Sequence, residues 1–430
     1  MPTQVPIGSS LAKKLYSVAL FSSVQGEPGF TKLLTGAAPS QGAAEAKMKG
    51  QTSSDYPVVK VTDLSKSAGE SISVDLFNIL IGKPTMGDKR IAGRGMSLTS
   101  STQDIRIDQT RGMADGGGKM TQQRTQWNLR SIAQAGLANW GARLRDQTTL
   151  VQLAGARGTQ NHADWVVPLT SDAEFNDIVV NPIKAPTKNR YFSANDSTGP
   201  ADIGTNDALT LQDIDRIMSV MAESNVPMQP IKFEGDPYSW DNPTYVIFVT
   251  ERQWLYLQAR TGQTQWRTFL QNAYERRSAG VKHPLFYGDV GFWRGALVKP
   301  LKRYAIRHVA GDVVVVDSGG SDGKTYTETN QTVTASITVD RALIVGAQAL
   351  AMVYGRHQSS DYFMDWNEEL VDHKNGVEIS CATMGGAAKI RFRVRDGADG
   401  SMVDVDHGVA VIDSYAPDPQ SAAGRTLLNS

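Results

Sequence analysis

The hydrophobic pattern is clearest between Met120 and Ala154, where apolar residues recur at Leu129, Ala133, Leu137, Trp140, Leu144 and Val151, mostly three or four apart. That spacing lines one face of a helix. No proline interrupts the stretch, and Gly155 stands where a helix stop belongs. At 1.5 Å per residue the helix would be roughly 50 Å long, far beyond the usual 11 or 12 residues. It must run along a sheet or form the backbone of an elongated subunit. Gly136 and Gly141 lie inside it, at about 1 kcal/mol each relative to alanine. A bend or a close approach of backbones would account for them, as would simple tolerance of glycine at those two positions.

Before this helix the pattern shortens to a period of two. Val58, Val59 and Val61 predict one strand, and Ile72, Val74 and Leu76 predict a second, with a turn at Ser67 to Glu70. A long polar stretch, Gly82 to Gly95, follows, and Ile105 and Ile107 mark a returning strand. The reading is a protruding hairpin with a charged, glycine-rich tip. A lone hairpin is not stable in water, and no internal surface for it precedes the long helix. Residues 1–56 have too little apolar content to fold alone and read as an arm, with a weak helix around Leu11 to Ser22.

After the helix, residues 159–207 are loop-rich. Thr210 to Asp213 opens a capped helix whose apolar face is Leu211, Ile214, Ile217 or Met218, and Met221. Tyr245 to Val249 predicts a buried strand, Glu251 to Arg260 a short helix, and Trp266, Phe269, Leu270 and Ala273 a further one. Val313 to Val316 predicts a strand followed by a surface loop, Asp317 to Thr332. Arg341 to Tyr354 reads as a buried helix. Val377 to Ile379, Lys389 to Val394 and Val409 to Ile412 are late strands, and the tail beyond Pro417 is expected to be mobile. The class is α+β.

At 430 residues the chain can bury a large core in two or three lobes. Lys+Arg and Asp+Glu each number 44, so the formal charge is zero. A strong duplex binder needs a basic excess to neutralise phosphates, and none is present; neutrality also eases self-association. Cys381 is the single cysteine, which excludes an internal disulfide and a thiolate metal cage and fits a small buried side chain. No apolar run approaches the roughly 18 residues of a spanning helix, and the chain reads as cytoplasmic, with no membrane partner.

Candidate chemistry is sparse. Gly112 to Thr121 lies between a strand and a helix, but the first glycine comes one residue too early for a phosphate-cradling loop and Met120 occupies the place of its hydroxyl. A hinge into the helix is the simpler account. The histidines are scattered. Asp372-His373 and Asp406-His407 read as polar pairs at turns or strand ends, and Asp396, Asp399, Asp404 and Asp406 miss the calcium-loop spacing. Arg124, Arg130, Arg143 and Arg145 decorate the helix, as a solvated face or as contacts to a partner subunit. No catalytic residue, cofactor or metal is expected. The arm, the hairpin and the overlong helix suggest a shape completed by neighbouring copies.

Several stretches resemble one family. Gln51-Thr52, Pro57-Val58-Val59 and Gly82-Lys83-Pro84-Thr85-Met86-Gly87-Asp88 are similar to the opening of a tailed-bacteriophage major capsid protein family found in certain short-tailed, podovirus-type phages. Met120 to Arg124, Leu153 to Gly158, Asn181-Pro182, Ala185 to Thr187, Ala342 to Gly355 and Asp406 to Val411 are similar to it as well. The resemblance covers roughly residues 40–416, in order and with matching spacing. It implies the tailed-phage and herpesvirus-type capsid fold, with residues 1–56 as N-terminal arm and 57–115 as extended loop. Residues 116–207 would be a peripheral domain with spine helix 120–157, and 208–345 an axial domain. Residues 346–430 would be return strands of the peripheral domain and a C-terminal tail. The implied function is a structural subunit, not an enzyme, forming hexamers and pentamers of an icosahedral head around double-stranded DNA without sequence-specific binding. Scaffold, portal and cement or decoration proteins would be its partners, and host cytoplasm its place of assembly. The loop tip (Lys83, Asp88, Lys89, Arg90, Arg94) would contact a neighbouring subunit. Thr250-Glu251-Arg252-Gln253 departs from the His-Pro-x-Gln of that family. Two rival readings are a nucleotide-binding cytosolic enzyme using Gly116 to Lys119 and another virion component, a portal or decoration protein.

Overall fold

A computed structural model describes residues 29–36, 52, 55–61, 69–77, 83–95, 100–124, 129–234, 236, 243–281, 283–319, 327–355, 364–395 and 402–429. In chain order the elements are α1 (Phe30–Leu33), β1 (Val58–Val61), β2 (Ser71–Phe77), β3 (Ser100–Arg106), β4 (Asp108–Gly118), α2 (Lys119–Arg124) and α3 (Leu129–Ala154). Next come α4 (Phe175–Val179), β5 (Tyr191–Ser193), α5 (Leu211–Glu223), β6 (Tyr245–Thr250), α6 (Glu251–Arg260) and α7 (Gln263–Ser278). Strands β7 (Gly291–Trp293), β8 (Ala296–Leu301), β9 (Ile306–His308), β10 (Val313–Gly319), β11 (Thr327–Thr332), β12 (Val339–Val345) and β13 (Leu350–Tyr354) follow. The chain ends with β14 (Met364–Val371), β15 (Gly376–Lys389), β16 (Arg391–Arg395), β17 (Met402–Asp406), β18 (Val409–Tyr415) and α8 (Ala422–Leu428).

Helix α3, at about 39 Å, is the long element that the apolar stripe predicts; α2 lies ahead of it, and residues 125–128 between them are outside the described residues. Its two halves differ. Toward the N-terminus only Leu137, Ala138, Ala142 and Leu144 are buried, whereas Thr149 to Ala154 are buried without a break. The polar residues in that second half are tied down. Gln147 donates to the Asp164 carbonyl and accepts from the Val166 and Val167 amides. Gln152 donates to the Asn181 carbonyl. Gly155, with φ +64, terminates the helix as expected.

Two sheets flank α3. The five-stranded sheet runs β1-β13-β15-β14, with β4 on the other side of β15. The seven-stranded sheet runs β5-β18-β12-β6-β8-β7, with β9 also paired to β12. In its central strands alternate residues enter two different cores. Val246, Phe248, Leu343, Val345, Val409 and Val411 face the core shared with α3. Ile247, Val249, Ala342, Ile344, Ala410 and Ile412 face α5, α6 and α7. A strand buried on both faces needs a continuous apolar run, which is why Arg341 to Tyr354 reads as a helix but forms β12 and β13, in different sheets. Gly346 separates them, and a side chain there would run into the Gln229 carbonyl.

Further expectations change. β1 does not pair with β2: it lies parallel to β13, Val58 opposite Leu350. The hairpin is β2–β3, Ser71 opposite Arg106, and its resting surface comes from residues far along the chain. Ile72, Val74, Leu76 and Ile105 rest on Val353, Ala388, Ile390 and Phe392. The Gln103 side chain donates to the Lys389 carbonyl and accepts from the Arg391 amide. The glycines before α2 form no hinge, since Gly112 and Gly118 pair with Cys381 and Gly376 in the β4–β15 ladder. Within the expected surface loop 317–332, Thr327–Thr332 is strand β11, paired to β10. Of the late strands, β18 joins the seven-stranded sheet, beside β12, rather than the five-stranded one. Beyond Pro417 the tail forms α8, capped by Ser421 and burying Leu427. The predicted helix at Leu11 to Ser22 and the turn at Ser67 and Ala68 lie outside the described residues.

Candidate assembly surface

The hairpin tip, residues 83–95, carries four cations (Lys83, Lys89, Arg90, Arg94) against one carboxylate, Asp88, and all five are exposed. Gly87 (φ +60) and Gly93 (φ +86) adopt the left-handed conformation, which lets the chain turn twice without strain. The second of these turns is closed by the Arg94 amide donating to the Ile91 carbonyl. Two large apolar side chains, Met86 (69% exposed) and Ile91 (74% exposed), stand among the charges. Large apolar groups beside cations, in a segment whose base is held firmly, suit contact with another molecule better than a solvated turn.

The base is firm because the arm and the sheets lock around α3. Phe30 and Thr31 donate their amides to the two oxygens of Asp146, at 3.0 and 3.1 Å. Thr31 bonds Thr149, Leu34 is fully buried, and Phe30 meets Phe248 edge-on at 4.9 Å. This part of the arm therefore lies across its own chain's helix. Arg130 reaches Glu368 through two bonds of 2.7 and 2.9 Å, so it braces α3 against β14 within the chain. Arg143 approaches Asp164 at 3.9 Å. Arg124 is exposed. Gly136 faces open space, and α3 continues through both it and Gly141. Trp140 lies over Gly112, where an added Cβ would come within 2.8 Å of the ring.

Buried ion pairs cross-link the strands. Arg341 and Asp413, both fully buried, share two bonds of 2.8 Å, and the Tyr191 hydroxyl donates to the same carboxylate. Arg307 grips Asp340, which also accepts from the Thr250 hydroxyl. Asp406 is held between Lys389 (2.8 Å) and Arg391 (2.7 Å). Burial alone would raise the Asp406 pKa, but these two cations hold it below the usual range. Lys389 is lowered to about 8 by burial, against the pull of Asp406. Asp406-His407 is thus a structural strand end, and Asp372, His373 and Lys374, all at positive φ, form the turn between β14 and β15.

The departure at Thr250 to Gln253 is a capping box. The Thr250 hydroxyl and the Gln253 side chain bond each other's amides at the start of α6, and Gln253 also donates to the Asp340 carbonyl and to Ser414. Arg157, just past α3, stacks on Trp165 at 3.6 Å and donates to the carbonyls of Gln160, Val167 and Pro168, which orders the loop at 161–168. The buried Cys381 thiol is pushed up to about 11 by desolvation, which disfavours the reactive thiolate. Among the described residues no cluster of His, Cys, Asp and Glu could hold a metal, and no helix is long and apolar enough to cross a membrane. The Gly116 to Lys119 loop makes no nucleotide cradle: it is the end of β4, and the Lys119 amide donates to the Asn375 carbonyl. Sequence reasoning missed Asp146, Gln147 and Gln152, because polar residues on a helix carry no mark of burial.

Known proteins share this architecture. A capsid of Ralstonia phage GP4 is 24% identical and superposes with a TM-score of 0.67, over 86% of this chain and 90% of its own. The capsid asymmetric unit of cyanophage Pam1 is 16% identical with a TM-score of 0.55, over 84% and 89%. The fold is therefore the tailed-phage capsid fold, α+β. A major capsid protein of Pseudomonas phage KPP25 is 28% identical over 117 residues, 27% of this chain and 31% of that relative, so the match spans about a third of the relative's length. The sequence pattern of the family described as phage capsid protein matches residues 4–418. With nearly the whole length matched and the fold shared, the chain belongs to the phage capsid protein family.

Proposed function

We propose that this chain is the major capsid subunit, assembling in many copies as hexamers and pentamers of an icosahedral head around double-stranded DNA. The observation that carries the reading is the hairpin tip, exposed, cationic and studded with Met86 and Ile91, on a base locked to its own chain. The tip residues Lys83, Asp88, Lys89, Arg90 and Arg94 bind a neighbouring copy, and each contact can be weak because a closed shell multiplies them. Neutral overall charge suits a shell that encloses DNA without condensing it or reading its sequence. Assembly takes place in the host cytoplasm and draws on scaffold, portal and cement or decoration proteins. Residues 1–56 form the N-terminal arm, 57–115 the extended loop, 116–207 the peripheral domain with its spine helix, 208–345 the axial domain, and 346–430 the return strands of the peripheral domain and the C-terminal tail, with β5 and β18 lending strands to the seven-stranded sheet. Gly136 and Gly141 are the positions where α3 would flex between subunit conformations.

The test is deletion of Lys83 to Arg94. The variant should keep its circular dichroism spectrum and melting transition yet form no closed shells in negative-stain micrographs. Normal shells would overturn the tip contact, and rings alone from the full chain would favour a portal.

A further inference from the structure

We propose that the cleft between α3 and the five-stranded sheet is a binding site for a small carboxylate on a short apolar stem. The cleft encloses about 100 Å³, walled by Trp140 and Leu144 of α3, Val179 of α4, Met352 and Val353 of β13, and Ala387 of β15. Arg145 also lines it. Its side chain is only 9% exposed, and its Nε and Nη2 are buried without a hydrogen-bond partner.

The nearest carboxylate does not satisfy that guanidinium. Asp146 Oδ1 is 3.9 Å from Arg145 Nε, beyond hydrogen-bond length, and both Asp146 oxygens already accept the amides of Phe30 and Thr31. A second cation is close by: Lys60 is lowered to about 8, first by burial and then by Arg145. Buried donors without acceptors are unfavourable, and a carboxylate is the acceptor whose geometry fits a guanidinium. The rest of the lining is mainly apolar, with Thr110, Thr148, Tyr354 and Thr383 also contributing, which favours a ligand whose stem is mostly apolar. Gly141 adds backbone but no side chain to the wall, which leaves that volume empty. A cavity of about 150 Å³ admits benzene, so the present one suits a group of propionate or butyrate size. A free short-chain acid and a glutamate side chain from a second copy both present this chemistry. Only the second source rests on the assembly reading above.

Titrating the full chain with sodium butyrate, with sodium chloride at matched ionic strength and 1-butanol as controls, tests the site by calorimetry. Saturable butyrate binding is expected, at least tenfold tighter than that of butanol. It should weaken at least tenfold in Arg145→Gln and be blocked in Gly141→Leu, which fills the cleft while keeping Arg145; retained melting transitions show that each variant folds. No saturation, equal binding of butanol, or undiminished binding in Arg145→Gln overturns the proposal. Butyrate bound by free subunits but excluded from shells identifies an acidic side chain of a second copy as the occupant. Equal binding by both identifies a free acid. If the loop-tip deletion assembles normally while butyrate still binds, the assembly reading fails and this site stands.

Discussion

Replacing Asp146 by alanine should release the arm segment Gly29 to Gly36 from α3 while leaving the rest of the fold intact. The carboxylate accepts two backbone amides, Phe30 at 3.0 Å and Thr31 at 3.1 Å. Hydrogen bonds to a charged group contribute about 1.5–3 kcal/mol each when buried. Thr31 is 1% exposed, so its amide loses its acceptor with no water to replace it, whereas Phe30 is only half-buried and recovers part of the loss. The sum is roughly 3 kcal/mol, about a hundredfold in the docking equilibrium at 1.4 kcal/mol per decade. Among the anchors that remain, Leu34 contributes about 1.5–3 kcal/mol by its full burial, beside the Phe30–Phe248 edge contact, the Thr31–Thr149 bond and the Val58 amide donating to the Leu34 carbonyl. Hydrogen exchange reads the outcome at the Leu33 and Leu34 amides, which bond within the segment to Gly29 and Thr31. Their protection should fall about a hundredfold, while the Ile344 amide in β12 keeps its own. Asp146→Asn, with one acceptor oxygen, should fall between. Gly29→Ala should mimic the loss, since a Cβ at Gly29 runs into the Asp146 carboxylate. Protection at Leu33 and Leu34 within threefold of the parent protein would refute the carboxylate as anchor.

Two further outcomes concern the buried ions and the histidines. Asp413→Ala strands a fully buried Arg341 and should cost about 3–5 kcal/mol, whereas Arg341→Met with Asp413→Leu should recover most of that; urea midpoints decide, and a double variant no better than the single one contradicts the account. His308 and His407 are each lowered to about 4, chiefly by burial, so the folded chain stays neutral where the unfolded chain takes up protons. Their contribution is complete above the unfolded pKa near 6.5 and is lost as pH falls from there toward 4, by up to about 1.4 kcal/mol per pH unit per histidine. Urea midpoints at pH 7, 5 and 4 should drop less steeply in His308→Gln; an unchanged slope would show that His308 does not supply this term.

Elements whose signal is local were legible in the chain before any fold was known. The 3.6-residue stripe from Leu129 to Val151 marked α3, Gly155 its end, Thr210 and Asp213 the capped start of α5, and the alternation at Ile72, Val74 and Leu76 one strand of the hairpin. The order of family-like stretches over residues 40–416 likewise carried the fold class, because each motif is read independently of packing. The rest depends on contacts between residues far apart in the chain. Periodicity cannot distinguish a strand buried on both faces from a buried helix, so β12 and β13 stayed hidden until each had strands at both edges and a packed layer on both faces. Strand pairing has no local signature either, which is how β1 came to lie beside β13 rather than β2. The hairpin's support arises from residues nearly three hundred positions later, through Gln103 and the 389–391 backbone. Polar side chains such as Asp146, Gln147 and Arg145 look solvated in one dimension. Their partners, or in the case of the Arg145 Nε and Nη2 the lack of one, exist only once the arm, the loop at 164–167 and the sheet have closed around the helix.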